Sequence, residues 1–191
     1  MAENQIVNEL KQTMEIGQIF FESGMFKDIK TQSQAIVKIM AGKEIGLTPF
    51  ESMNAFYIVN EKISLTSNAM ATIVKKGGVY DYHVDKLDDQ ECCITFYKLN
   101  GEKTELGKST FTIKDAAKAT IVNKDVWKYY PRNMLFSRAL SNGVKWFCPD
   151  SSRGYQTTEE LQDITDVDVT PVKTITMSEE GVTSGKETPT V

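Results

Sequence analysis

The dipeptide Asn100-Gly101 limits the possible folds of this chain more than any other pair of residues in it. It stands between two runs, 91–99 and 104–112, that are rich in β-branched and aromatic residues. Asn-Gly adopts the positive φ angles of a tight hairpin turn at little cost, so the two runs are expected to pair as antiparallel strands. A third run at 79–84 precedes them, and together the three predict a meander.

Helical signals surround the predicted meander. Apolar residues recur at helical spacing over 5–22, and Thr31 and Thr48 are suited to cap two further helices. Thr48 is followed by proline and then by glutamate at the third position, the pattern of a capping box. A second hairpin is indicated at 56–65, and the most regular late helix begins at Pro131. These elements predict an α+β fold, in which a small antiparallel sheet, made of the hairpin and the three-strand meander, packs with about five helices.

The charge of the chain is unevenly distributed. Its net charge is −4, yet residues 1–158 hold 20 basic and 18 acidic side chains. From Glu159 onward there are eight acids, two bases and no aromatic residue. Such a composition is typical of disordered segments. We therefore predict one domain at 1–161 and a disordered acidic tail at 162–191.

The sequence gives little support to a membrane protein or a secreted protein. The first residues are acidic and polar, unlike a signal peptide, and no apolar run reaches the ~20 residues of a membrane span. We expect a cytoplasmic protein with no membrane partner. Cys92, Cys93 and Cys148 lack the spacing of metal ligands, so buried or half-buried free thiols are expected.

A catalytic centre is not predicted. His83 is the only histidine, and no nucleophile motif accompanies it. Residues 41–44 lack the leading glycine and the hydroxyl side chain of a phosphate-binding loop. The acids at 85–91 fall on a predicted exposed turn, for which a solvated loop is a simpler explanation than a metal site. We therefore expect a protein that is not an enzyme and that uses no cofactor or metal.

Basic and aromatic residues alternate over 124–146, a pattern typical of surfaces for single-stranded nucleic acid. Lysine and arginine neutralise phosphates, and aromatic rings stack on unpaired bases. Arg138 and Lys145 are seven residues apart and share one helix face, near which Asn142 lies. A solvated helix face with Trp127 packed in the core explains the same pattern, so both interpretations stay open.

Two sequence blocks carry a family resemblance. The first contains GLTPF at 46–50, AFYIV at 55–59, KISL at 62–65 and Ala69-Met70. The second is WKYYPRNML at 127–135, followed by Arg138-Ala139 and by CPD at 148–150. In this order, with three strands between them, they resemble the GLSP-containing helix–hairpin–helix region and the W-x-x-x-P-[KR]-[KR]-M-L segment of the RecT/Redβ superfamily of phage single-strand DNA annealing proteins. The resemblance covers about residues 31–161.

The resemblance implies a function that breaks no bonds. In that family one DNA strand lies in a basic groove, a complementary strand pairs with its exposed bases, and no ATP is used. The motifs place DNA contacts at Trp127, Arg132, Arg138 and Lys145, and less closely at Lys62. The pattern of residues adds Lys128 and Asn142, with Tyr129 or Tyr130 as further candidates near sugars or bases. Asn133 stands where the family often has a second basic residue, which removes one expected phosphate contact.

The same resemblance implies partners. These are single-stranded DNA, further copies of the chain in a ring or helical filament, and an exonuclease or single-strand binding protein, in the cytoplasm of a bacterial host. The apolar face of the predicted helix at 5–22 serves either a protomer contact or the core. A phage interaction or anti-defence protein and a metal-dependent nuclease are the alternatives. If the late helix binds DNA, Arg138→Ala with Lys145→Ala should weaken binding with little loss of fold.

Overall fold

A computed structural model describes residues 2–165 of the chain. In chain order its elements are α1 Ala2–Glu22, α2 Gln32–Glu44, α3 Pro49–Ala55, β1 Phe56–Val59, β2 Lys62–Leu65, α4 Ser67–Lys76, β3 Tyr80–Leu87, β4 Glu91–Leu99, β5 Lys103–Thr112, α5 Ile113–Lys118, α6 Asp125–Tyr129, α7 Pro131–Phe147, α8 Pro149–Ser152 and α9 Thr158–Thr165. The predicted α+β class is confirmed. The described residues hold nine helices where about five were expected, and the short helices α6, α8 and α9 account for most of the difference.

The three-strand meander has the predicted antiparallel order β3–β4–β5. Leu99 pairs with Lys103, so residues 100–102 form the connection between β4 and β5. Within it Gly101 takes a φ of 94°, a backbone angle that glycine adopts without a steric penalty. The connection therefore lies where the dipeptide predicts it, but it is a three-residue turn in which only Gly101 of the dipeptide has a positive φ.

The predicted hairpin at 56–65 forms a two-stranded sheet of its own, separate from the meander. Its turn is Asn60-Glu61, with φ angles of 47° and 62°, and Val59 pairs directly with Lys62. Two consecutive positive φ angles characterise the type I′ turn that matches the twist of a hairpin. Lys62 is therefore the first residue of β2 and not the last residue of the turn.

The predicted caps position the helices next to this hairpin. Thr31 and Thr48 both form capping boxes, the second with Glu51, whose carboxylate accepts the Thr48 N–H at 2.8 Å. Thr66 caps α4, and its side chain accepts the Ala69 N–H. These caps satisfy backbone donors that the first turn of a helix leaves unpaired.

The core lies between α7 and the three-stranded sheet. Leu135, Leu140 and Val144 of α7 are fully buried in one cluster with Ile94 and Phe96 of β4. Gly143 makes this approach possible, because a Cβ at that position would overlap the Phe96 ring. Gly143 lowers the helix propensity of α7, and it is also the residue at which α7 packs against the sheet.

A second, smaller core joins α1, α2 and α3. Phe20 packs against a buried group that includes Ile39 and Met53, and Gly17 lets α1 cross close to Ile36 of α2. By contrast, Ile6 and Leu10 are exposed. The core interpretation of the apolar α1 face therefore holds for Ile16 and Phe20, but not for Ile19, which is 62% exposed, nor for the first half, which has no covering element within residues 2–165.

The predicted domain boundary at residue 162 falls inside α9. Residues 162–165 belong to this last helix, and α9 packs against both the hairpin and α7. The remainder of the predicted tail, 166–191, lies outside the described residues. Asp163, which the prediction assigned to the tail, is therefore part of the folded domain, together with Glu159 and Glu160, which the prediction already placed in the domain.

The three cysteines are free, as predicted. Cys92 and Cys148 are fully buried, whereas Cys93 lies on the other face of β4 and is half-buried. Burial raises the pKa of Cys92 and of Cys148 to about 12.

Candidate nucleic-acid interface

Residues 128–132 form a corner between two helices. The helix α6 ends at Tyr129, and α7 begins at Pro131. Proline disfavours helical backbone in the residue before it, and Tyr130 accordingly has φ −132° and ψ 52°. The chain changes direction at this point, so consecutive side chains project outward. We refer to residues 128–132 as the corner.

The corner presents aromatic rings and cations to solvent. Tyr129 is 74% exposed and Tyr130 is 63% exposed, and Lys128 and Arg132 are exposed beside them. Arg132 Nε donates to Asp89 Oδ1 at 2.8 Å, and Lys128 Nζ lies 3.7 Å from a carboxylate oxygen of Asp125. Exposed ion pairs of this kind contribute only ~0–1 kcal/mol each. A phosphate group can therefore displace these carboxylates at little cost.

Trp127 does not belong to this exposed set. It is 1% exposed, its ring packs 6.1 Å from that of Phe111, and its Nε1–H donates to Asp163 Oδ1 at 3.2 Å. A ring buried in this way has no face on which a base could stack. The aromatic surface at this end of α7 therefore consists of Tyr129 and Tyr130. Of the two interpretations of Trp127, the structure agrees with the one that places it in the core.

Arg138 and Lys145 share a helix face, as predicted, but that face is covered by α9. Arg138 Nη2 and Nε both donate to Asp163 Oδ2, at 2.8 and 3.1 Å. Lys145 Nζ donates to the Glu160 carboxylate at 2.7 Å. We call the five side chains that meet here the α7–α9 ion cluster; they are Lys124, Arg138, Lys145, Glu160 and Asp163.

The carboxylates of the ion cluster are buried more deeply than its cations. The Glu160 side chain is 4% exposed and that of Asp163 is 2% exposed. Alanine at both 138 and 145 would leave them without their main partners, and an unpaired buried charge costs several kcal/mol. The expectation that these two substitutions spare the fold is therefore not supported by the geometry.

Folding of α9 also changes the charge balance. Residues 1–158 carry a small positive excess, but residues 1–165 hold 20 bases and 21 acids. The positive excess inferred from the sequence is therefore neutralised within the folded domain. The exposed cations near α7 are Lys128 and Arg132 at the corner and Lys145, whose side chain is 38% exposed although it pairs with Glu160.

The two other predicted site residues lie on different elements. Asn142 is half-buried on α7, between the two cations of the ion cluster in sequence. Lys62 is exposed at the start of β2, and its hairpin is joined to α7 through α9. The structure thus brings together Lys128 and Arg132 with the two tyrosines, and separately gathers Arg138 and Lys145 under α9.

Acid should weaken the ion cluster. Burial works against the charged form of Glu160, but hydrogen bonds from Lys145 Nζ and Ser141 Oγ outweigh it and hold the pKa of its carboxyl below the usual range. A lowered carboxyl pKa stabilises the fold above the ordinary value near 4.3, and this stabilisation is lost as the pH falls through the folded-state pKa. Urea unfolding measured from neutral pH to about pH 3 should therefore show a smaller acid-dependent loss in Glu160→Gln than in the unchanged chain. Equal losses in the two proteins would contradict this assignment.

The remaining candidates for chemistry are engaged or dispersed. His83 is exposed on β3, and Asp88 accepts the backbone N–H groups of Gln90 and Glu91 within its own turn. Among residues 2–165, no three histidine, cysteine or acidic side chains converge as metal ligands. Within the same range, no helix combines the length and apolar character needed to cross a bilayer.

Searches of the chain against protein-family models, curated proteins and solved structures give no match. The resemblance to the RecT/Redβ superfamily therefore stays a prediction that depends on the two sequence blocks.

Proposed function

We propose that the chain binds single-stranded DNA and promotes the annealing of complementary strands without ATP. The observation that supports this most directly is the corner, where two adjacent tyrosines are more than 60% exposed between two exposed cations. Large aromatic side chains usually lose most of their surface on folding. Two neighbouring rings left in water beside a lysine and an arginine have the composition of a stacking platform for unpaired bases.

The chemistry of the corner suits recognition without sequence preference. Every base offers a flat face to a tyrosine ring, so stacking does not depend on which base is present. Lys128 and Arg132 would contact phosphates, which carry no sequence information. A strand held by its backbone keeps its Watson–Crick edges free, and base pairing with a second strand then supplies the free energy of annealing.

One corner reaches only a few nucleotides, so firm binding requires several copies along one strand. The exposed apolar residues Ile6 and Leu10 in the first half of α1 offer a surface for contacts between copies. An exonuclease or a single-strand binding protein is the expected further partner. The proposed setting is the cytoplasm of a phage-infected bacterium, where ATP-independent annealing serves homologous recombination.

Changing both tyrosines of the corner should weaken binding strongly. Stacking contributes ~1–3 kcal/mol per base, and 1.4 kcal/mol corresponds to a tenfold change in affinity. We expect Tyr129→Ser with Tyr130→Ser to raise the Kd for a labelled single-stranded oligonucleotide about tenfold or more, measured by fluorescence anisotropy. Both side chains are exposed, so thermal unfolding should change little.

A matched control accompanies this measurement. Tyr129→Phe with Tyr130→Phe keeps both rings and should bind like the unchanged chain. Wild-type affinity in the folded serine pair would exclude the corner as the stacking surface. Annealing is tested with two complementary dye-labelled oligonucleotides in the absence of ATP, beside a reaction without protein. If the chain neither binds nor anneals DNA, the interaction-protein alternative replaces this proposal, with exposed α1 as its docking surface.

A further inference from the structure

We propose that Lys124, Arg138 and Lys145 form a second phosphate-binding surface, that α9 covers it with Glu160 and Asp163 in the place of two phosphates, and that DNA displaces α9. The inference rests on the proposed function, because it takes the sugar–phosphate backbone of single-stranded DNA as the competing ligand. It extends that function by adding a closed state, in which the chain occupies part of its own binding surface.

The contacts within the ion cluster are those that a phosphate would receive. Arg138 directs two N–H groups at one carboxylate oxygen of Asp163, and Lys145 Nζ lies 2.7 and 2.8 Å from the two carboxylate oxygens of Glu160. Arginine and lysine bind phosphate oxygens through the same charge-assisted hydrogen bonds. Three cations face two carboxylates here, so the surface keeps a positive excess even when it is covered.

The covered surface is continuous with the corner. Lys124 Nζ lies 3.6 Å from Asp163 Oδ1, and Asp163 is also the partner of Arg138. Lys128 follows Lys124 by four residues, about one helical turn along α6. Arg132 lies about 120° around α7 from Arg138, so the connection to the corner runs through Lys128. With α9 displaced, Lys128 would therefore extend the cations of the cluster toward the corner.

The contacts of α9 with the rest of the domain are of a kind that allows its displacement. Its start is fixed to the hairpin, where Thr157 bridges Leu65, and to α4, where the Glu159 carboxylate accepts the Ser67 hydroxyl at 2.7 Å. Over α7 the contacts are mostly the ion pairs, and Leu161 is the one buried apolar side chain of α9 up to residue 163. Helices of eight residues are not stable alone in water, so α9 would unwind once a competing anion removes its ionic contacts.

The test compares two double variants with equal charge changes. Glu160→Gln with Asp163→Asn removes both carboxylates of the cluster and keeps side chains of similar shape. Glu102→Gln with Glu105→Gln removes two exposed negative charges outside it and leaves the attachment of α9 unchanged. Binding of a labelled oligothymidylate is measured by anisotropy between about 50 and 200 mM salt. We expect the cluster variant to bind about tenfold tighter than the control pair, within the usual range of coupling between sites. Its dependence of log affinity on log salt should match that of the control pair, since DNA meets the same three cations in both proteins once α9 is displaced.

The outcomes separate this inference from the proposed function. If the unchanged chain and both variants bind with equal affinity, the cover is overturned and DNA binding stands. If none of the three binds, both fail. Should the cluster variant not fold, hydrogen exchange of amides 156–163 in the unchanged chain decides the question. Faster exchange at saturating oligothymidylate supports displacement of α9, and unchanged or slower exchange overturns it.

Discussion

Trp127→Ala should lower the free energy of unfolding by about 4 kcal/mol, as is typical of the removal of a fully buried aromatic side chain. The indole is 1% exposed, so its loss leaves a cavity beneath α6 and against the Phe111 ring. It also removes the Nε1–H that donates to the buried Asp163. Urea unfolding followed by circular dichroism measures the difference.

The substitution Trp127→Phe separates the two contributions. Phenylalanine keeps most of the buried ring but cannot donate to Asp163, and we expect a loss of about 1–2 kcal/mol from the hydrogen bond alone. Affinity for single-stranded DNA, measured at a temperature where the variant is folded, should not fall below the wild-type value. A stable Trp127→Ala protein with greatly reduced DNA affinity would return Trp127 to the binding surface.

Gly143→Ala should lower the free energy of unfolding by about 3 kcal/mol, although alanine is the better helix former by about 1 kcal/mol. The added methyl group would overlap the ring of Phe96, which is fully buried between α7 and β4 and cannot swing away. The helix must therefore move off the sheet or the ring must leave its preferred rotamer. Thermal unfolding gives the same ranking as urea in a two-state domain.

A second substitution tests this explanation directly. Phe96→Leu makes room for the methyl group, so Gly143→Ala should cost less in the Phe96→Leu background than alone, a positive coupling in a double-mutant cycle. Asn133→Ala, at an exposed position of the same helix, serves as the control for helix propensity. Additive losses from the two core substitutions would show that the glycine is required for another reason.

Much of the fold follows from local signals in the sequence. Asn100-Gly101 placed the connection of the meander, and Thr31 and Thr48 placed the starts of two helices, because turn and cap preferences act within a few residues. For Gly17 and Gly143, by contrast, local signals did not reveal the role of the residue. Their cost to a helix is local and visible, but the close contacts that require them involve Ile36 and Phe96, which are distant in sequence.

The candidate site was harder to predict for the same reason. Whether Arg138 and Lys145 face solvent depends on Glu160 and Asp163, which stand in a threonine- and acid-rich stretch without strong helical signals. The exposure of the aromatic residues could not be predicted either. Pro131 interrupts the helical period, so spacing does not relate Trp127 to the residues that follow Trp127. Sequence spacing therefore found the right segment but could not tell which ring is buried and which rings are in water.

The three cysteines determine where a fluorescent dye can be attached to this protein. Maleimide dyes react with thiolates, and a thiol with a pKa about five units above neutral pH is almost entirely protonated. Cys92 and Cys148 are therefore poor targets while the domain is folded, and Cys93 is the side chain open to labelling. A fluorophore can be attached to one face of β4 in the unchanged sequence, with no cysteine removed and none introduced.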